Sequence, residues 1–175
     1  KVNTWSINKE DLYMENKMFC FQCEQTAGCS GCTGKVGVCG KNADVAALQD
    51  KLTGELIGLV RVTGDVVPTG NVLKLIIEGL FTTLTNVSFN EQTLNELIEK
   101  VRAERERLVP QCFACASPCG TNNEYDLSHI WTDNEDIRSL KSLILFGIRG
   151  MAAYAYHAMV LGYTNDEVSH FFVKA

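Results

Sequence analysis

The first feature of the chain is a series of hydrophobic residues spaced as on one face of a helix. Steps of three and four residues separate Val45, Leu48, Leu52, Leu56 and Leu59. A turn over residues 64–70, which contains Pro68, separates this segment from a second apolar run over residues 72–84. The pattern therefore predicts two successive helices joined by a short turn.

Three more helices are predicted in the rest of the chain. Asn90 is placed to cap a helix with apolar residues at 94, 97, 98, 101 and 108, and Pro110 ends it. Residues 132–135 (TDNE) and 164–167 (TNDE) are both typical of capping boxes, in which the Thr and Glu side chains bond free backbone N–H groups. The first box begins a long helix that runs towards Gly162, the expected capping glycine, and the second begins a short one. Alternating strand patterns are nearly absent. We predict an all-α fold of about five helices in one or two antiparallel bundles.

The long helix carries the most apolar stretch of the chain, residues 143–163. Arg149 and His157 interrupt this stretch, and a membrane-spanning helix rarely has a charge at its middle. We therefore predict a buried helix of a water-soluble domain and no membrane partner. Gly147 and Gly150 lie inside it, where each glycine costs about 1 kcal/mol relative to alanine. Close approach of a neighbouring helix is the expected reason.

Composition and charge narrow the class of protein. Hydrophobic residues make up 46% of the 175 residues, enough for a core, and the net charge is −5. Clustered Lys and Arg residues are missing, which argues against a nucleic-acid partner. Because nothing resembles an export signal, we expect a cytoplasmic location, where cysteines are more often metal ligands or redox groups than disulfides. The predicted organisation is a leader or extension at 1–17, a Cys/Gly-rich loop at 18–40 and a helical domain at 41–175.

Five of the eight cysteines lie in the Cys/Gly-rich loop. They are spaced Cys20-x2-Cys23-x5-Cys29-x2-Cys32-x6-Cys39. Four thiolates separated by glycines suit an iron–sulfur cubane, whose sulfurs accept backbone N–H bonds. Two Cys-x2-Cys pairs, 20 with 23 and 29 with 32, also suit a tetrahedral zinc site. Spacing alone leaves both sites open, whereas five free or disulfide-bonded cysteines so close together would be unusual.

A second cysteine group lies at Cys112, Cys115 and Cys119. It provides three thiols, and His129, ten residues further on, is placed to complete a Cys3His zinc site. The alternative is that these cysteines remain reduced thiols that pack a loop. The sequence shows no catalytic acid–base pair, Walker loop or Ser-His-Asp arrangement, so no catalytic residue is predicted.

Several segments of the chain resemble hybrid cluster proteins, also called prismane proteins or hydroxylamine reductases. The segments are MFCFQCEQTAGCSGCTGKVGVCGK with the following ADVAALQD, then LFTTLTNVSFN, and then DIRSLKSLILFGIRGMAAYAYHAMVLGY. Together they extend the resemblance over nearly all of residues 18–175. Matches in separate segments are more specific than one metal motif.

The resemblance implies a particular set of ligands. Four N-terminal cysteines bind a cubane in that family, and they correspond to Cys20, Cys23, Cys32 and Cys39. Cys29 has no counterpart and is expected to be a spare thiol. The eight-residue gap between Cys23 and Cys32 resembles the branch of the family with a 4Fe–4S cluster rather than a 2Fe–2S cluster.

The resemblance also implies a function. This chain would be the N-terminal electron-relay domain of a longer oxidoreductase, whose second, mixed cluster in later domains reduces hydroxylamine or nitric oxide. The chain alone would be inactive. Its expected partners are those later domains, an electron-donor reductase or ferredoxin, and a second copy of itself. The alternatives are a zinc-stabilised helical interaction module without redox activity, and a helical domain that folds by core packing without metal.

Overall fold

Helices make up most of the described structure. The computed structural model describes residues 18–64, 68, 70–108 and 125–175. The helices are α1 (Ala43–Thr63), α2 (Gly70–Thr82), α3 (Glu91–Leu108), α4 (Ser128–Trp131), α5 (Glu135–Val160) and α6 (Asp166–Lys174). Within these ranges the only extended pairing is an isolated bridge between Cys20 and Cys32. The all-α prediction is confirmed, with five longer helices and the single-turn α4.

One hydrophobic core joins the longer helices. α1 packs chiefly against α3, α2 packs chiefly against α5, and α2 also contacts both α1 and α3. The predicted apolar positions of α1 to α3 lie in this core, because a helix buries the stripe that recurs every three or four residues. Its most deeply buried members include Leu52, Leu59, Ile76, Leu94 and Ile98.

Asparagines cap the helix starts. Asn90 accepts a hydrogen bond from the N–H of Thr93 at 3.0 Å, which confirms the predicted cap of α3. The two predicted capping boxes are wrong, because Asn134 and Asn165 cap α5 and α6 instead of the preceding threonines. Thr132 has helical backbone angles at the end of α4, and its hydroxyl donates to the carbonyl of Ser128. It therefore ends one helix and does not begin the next.

The end of α5 follows the predicted pattern. Gly162 has a φ of 84°, in the left-handed region that favours glycine. The next N–H, of Tyr163, donates to the carbonyl of Ala158 at 2.9 Å, as in a Schellman cap. The prediction that Gly162 caps this helix is confirmed.

Close approach occurs at glycines other than the predicted ones. A methyl group added at Gly54 of α1 would lie 2.2 Å from the carbonyl oxygen of Tyr125, and one at Gly79 of α2 would lie 2.8 Å from a Leu56 side-chain carbon. No described atom lies within 4 Å of such a group at Gly147 or Gly150. The explanation of these two glycines by close helix approach is therefore wrong. The structure offers no packing reason for them.

α5 is less buried than its sequence predicts. It is long and apolar enough to cross a membrane by length and composition, yet only 22% of its most apolar stretch is buried within the described structure. Leu140, Leu143 and Tyr154 are more than 60% exposed. The prediction of a buried helix is wrong, because α5 packs on α2 along one narrow stripe that includes Arg149.

A buried carboxylate links α1 to α3. Glu55 is 1% exposed, and its two oxygens accept hydrogen bonds of 2.6 Å from Arg102 Nε and Arg105 Nη1. Burial of a carboxylate requires such compensation. These two ion pairs hold α1 and α3 together.

Candidate metal centre

A short backbone pairing places Cys20 opposite Cys32. The N–H of each residue donates to the carbonyl of the other, and both N···O distances are 2.9 Å. Gly31 permits this pairing, because its φ is 66° and an added methyl group would lie 2.8 Å from the Cys20 carbonyl oxygen. Glycine is therefore needed here to let the two cysteine-bearing segments meet.

Two turns position Cys23 and Cys39. Cys23 directly precedes a 3₁₀ helix, Glu24–Cys29, and its carbonyl accepts the N–H of Thr26 at 2.9 Å. Cys39 lies in a turn in which the N–H of Gly40 donates to the carbonyl of Gly37. A methyl group at Gly37 would lie 3.5 Å from Cys39 Sγ. Glycine thus leaves space beside the thiol.

The four cysteines predicted as ligands are free thiols that share one region. Burial raises the pKa of Cys20 to about 11, although Lys41 opposes this effect. Burial also raises the pKa of Cys23, and the charges of Glu24, Cys32 and Cys39 raise it further. Such mutual effects require the thiols to be close together. Without a metal, Cys20 is therefore a neutral thiol at pH 7, and binding of a cation would favour the thiolate.

Two buried cations lie beside this group of thiols. Lys41 is 1% exposed, its Nζ lies 4.0 Å from Cys20 Sγ, and it donates to Gln22 Oε1 at 2.8 Å and to Gln49 Oε1. Arg149 is 2% exposed, and burial lowers its pKa while the charges of Asp50 and Cys20 raise it. Both residues are part of the interior next to the cysteines.

Arg149 bridges distant parts of the chain. Its Nε and Nη2 donate to Thr83 Oγ1 and Thr53 Oγ1, each at 3.1 Å. Its Nη1 is buried and has no hydrogen-bond partner within the described structure. The sequence interpretation treated Arg149 only as an interruption of an apolar helix and did not consider Lys41. The sequence signal for Arg149 is a lone charge within an apolar stretch, because a charged residue is rarely buried without a structural or functional reason.

Asp50 is a carboxylate whose charge interacts with both of these cations. Its Oδ1 accepts a hydrogen bond from Gln22 Nε2 at 2.5 Å. Burial raises the pKa of Asp50 to about 6, against the opposing effects of Gln22, Arg149 and Lys41. Gln22 thus lies between Lys41 and Asp50, with its oxygen towards the ammonium and its amide nitrogen towards the carboxylate.

Aromatic rings attach the cysteine loop to the helices. The rings of Phe21 and Trp131 have centroids 5.3 Å apart, and Phe19 lies against both. The guanidinium of Arg138, on α5, lies 5.5 Å from the centre of the Phe21 ring. These contacts hold the residues that flank Cys20 against α4 and α5.

Among the residues that the structure describes, the cysteines do not form a site for a single metal ion. In the described part of the chain, no three His, Cys, Asp or Glu side chains could hold one metal ion. A zinc site would bring every sulfur to about 2.3 Å from one point, and three of the four cysteines in the zinc alternative are described. A cluster of several irons places its ligands further apart. Four free thiols with the buried Lys41 ammonium next to Cys20 fit such a group, because thiolates ligate it and a neighbouring cation favours the thiolate.

The remaining predicted ligands lie mostly outside the described residues. Cys112, Cys115 and Cys119 belong to residues 109–124, and the side chain of Cys29 is also outside the description. His129 is exposed on α4, with its ring 6.3 Å from that of Tyr125. The second site remains a prediction.

Comparison with known families identifies the class of protein. Residues 18–175 match the Prismane/CO dehydrogenase family. The chain belongs to this family, in agreement with its resemblance to hybrid cluster proteins.

Individual relatives carry one name. The hydroxylamine reductase of Clostridium perfringens is 38% identical over 179 residues, and that of Methanocaldococcus jannaschii is 41% identical over 178 residues. The hydroxylamine reductase of Clostridium novyi is 37% identical. Each alignment covers 90% of this chain and 32% of the relative. The chain therefore spans about a third of the length of the relatives it matches.

Proposed function

We propose that this chain is the electron-relay domain of a hydroxylamine reductase-like hybrid cluster protein. Its 4Fe–4S cluster would be bound by Cys20, Cys23, Cys32 and Cys39. The observation that carries the proposal is the convergence of these four thiols beside two buried cations, in a chain of the prismane family. An anionic, thiolate-bound group is what such surroundings favour.

The residues around the thiols have separate roles in this proposal. A bound 4Fe–4S cluster accepts and passes on single electrons. The Cys20–Cys32 pairing fixes two ligands, and the turns at residues 23–26 and 37–40 orient the other two. Phe21 and Trp131 cover one side with apolar surface, which limits access of water. Lys41 provides a cation next to the Cys20 sulfur.

The complete protein would use the relayed electrons elsewhere. We propose that it is a cytoplasmic oxidoreductase that reduces hydroxylamine or nitric oxide at a mixed iron–sulfur–oxygen cluster bound by residues outside this chain. The domain alone would be inactive. Its partners would be the other domains and a reductase or ferredoxin that donates electrons. The names of the relatives support this proposal.

Metal analysis of protein prepared without oxygen tests the cluster. We expect a brown chain with about four irons and broad visible absorption, since four cysteines ligate such a cluster. Cys39→Ser should lose or convert the cluster, whereas Cys29→Ser should retain it. A colourless chain with one zinc, lost in Cys29→Ser and retained in Cys39→Ser, would instead establish the zinc-stabilised module.

A further inference from the structure

The two buried cations share one described carboxylate, Asp50, so one positive charge is left without a counter-charge. Neither Lys41 nor Arg149 forms a salt bridge with a described carboxylate, although both are at most 2% exposed. Their hydrogen-bond acceptors are neutral: amide oxygens and the Cys20 thiol for Lys41, and threonine hydroxyls for Arg149. A buried charge without a counter-charge is strongly unfavourable. Their retention therefore needs an explanation.

Two glutamines keep the Lys41 ammonium next to Cys20. Gln22 separates it from Asp50, because the Gln22 amide oxygen faces Lys41 while its nitrogen donates to the carboxylate. Gln49 presents its oxygen to the ammonium, and its nitrogen is held by the carbonyl of Ser88 at 2.8 Å. Lys41 therefore contacts the Cys20 thiol directly, whereas Gln22 lies between Lys41 and Asp50.

We propose that Lys41 and Arg149 are the counter-charges of the cluster and set its reduction potential. The inference rests on the proposed function, because it assumes that the cluster binds to the four cysteines. Reduction adds one negative charge to the cluster, supplied by a one-electron donor. Neighbouring positive charges stabilise that added charge and therefore raise the potential. Arg149 contributes as a fixed charge, because its guanidinium stays protonated.

Redox titration of the cluster-loaded chain tests this role. Lys41→Met and Arg149→Met each replace the charged side chain by an unbranched apolar one, and each should lower the ratio of reduced to oxidised cluster about tenfold at a given potential. That change equals about 59 mV for a one-electron couple. Arg149→Lys keeps the charge and should stay near the wild-type potential. Lys74→Met, at an exposed position of α2, is the matched control and should change nothing.

A second variant keeps the test valid if Lys41→Met does not fold. Lys41→Gln removes the charge and keeps an amide N–H donor for the Gln22 and Gln49 oxygens. We expect it to lower the potential in the same direction as Lys41→Met. Thermal midpoints give another readout, since loss of either cation should destabilise the loaded chain more than the metal-free chain.

The outcomes separate this inference from the proposed function. In one outcome, the wild-type chain binds four irons, the charge-removing variants keep its reduction potential, and their thermal midpoints fall equally with and without the cluster. The inference is then wrong and the proposed function stands. If the wild-type chain binds no iron in the absence of oxygen, both are wrong. A lowered potential in both Met variants, with Arg149→Lys near the wild type, supports both.

Discussion

Asp50 connects the interior of the site to the acidity of the solvent. Its pKa is raised from its ordinary value of 3.8 to about 6 by burial, and Gln22, Arg149, Lys41 and Trp131 only partly offset this. Between these two pH values the folded chain binds a proton that the unfolded chain has already released. The contribution of Asp50 to the free energy of unfolding therefore falls as the pH rises through this window.

The metal-free chain should show this dependence in comparison with Asp50→Asn. From pH 4 to pH 6 we expect the wild-type free energy of unfolding to fall relative to the variant by about 2 kcal/mol, because one extra bound proton changes it by at most about 1.4 kcal/mol for each pH unit. Urea unfolding at several pH values measures the difference. Asp44→Asn, at an exposed position on the same helix, is the control and should run parallel to the wild type. Parallel curves for Asp50→Asn would contradict the raised pKa.

At the scale of helices, periodicity was a sufficient guide to where helices form but not to how they begin or approach one another. The apolar faces of α1 to α3 were predictable because burial of a stripe depends only on local spacing. The cap of α5 is mispredicted because Thr132 already belongs to the end of α4, a single turn without a periodic signal, and the cap of α6 lies one residue after the predicted Thr164, at Asn165. Glycine roles depend on which neighbour lies opposite. Local sequence does not contain this information.

Alanine substitutions should separate the two kinds of helix glycine. Gly54→Ala would force a methyl group to 2.2 Å from the Tyr125 carbonyl oxygen, so we expect destabilisation of about 2 kcal/mol or more, as for an overpacked core. Gly147→Ala meets no described atom and is exposed, so a gain of about 1 kcal/mol in helix propensity should appear. Chemical unfolding of both variants measures the contrast. Equal effects would contradict the assigned packing.

At the scale of the whole molecule, the cysteines were visible in the sequence and their electrostatic surroundings were not. Cysteine spacing and family resemblance indicated which thiols to examine, and Cys20 and Cys32 lie together in one backbone pairing. Arg149, in contrast, reaches Thr53 across 96 residues of sequence. Such a contact between α5 and α1 arises from the tertiary packing of the helices and has no local pattern. The groups that tune a site therefore have to be found from the fold.

The outer surface of α5 and α6 is apolar enough to affect how the whole molecule associates. Large exposed apolar patches usually mark interfaces. The exposed apolar side chains of this surface are Ile137, Leu140, Leu143, Ile144, Tyr154, Val160, Leu161, Tyr163, Val168 and Phe171. In α5 these exposed residues come before, between and after the buried residues that pack against α2. We expect the isolated chain to self-associate through this surface.

Sedimentation analysis over a range of protein concentrations tests this expectation. The wild-type chain should form dimers or larger species, whereas Leu140→Glu and Leu143→Glu should shift the distribution towards monomer, because a carboxylate in an apolar contact loses its hydration. Both positions are more than 60% exposed, so the helical content should be unchanged. Val87→Glu introduces the same charge at an exposed apolar residue outside these helices and should still associate. A wild-type chain that is monomeric at all concentrations would show that this surface does not bind a second copy.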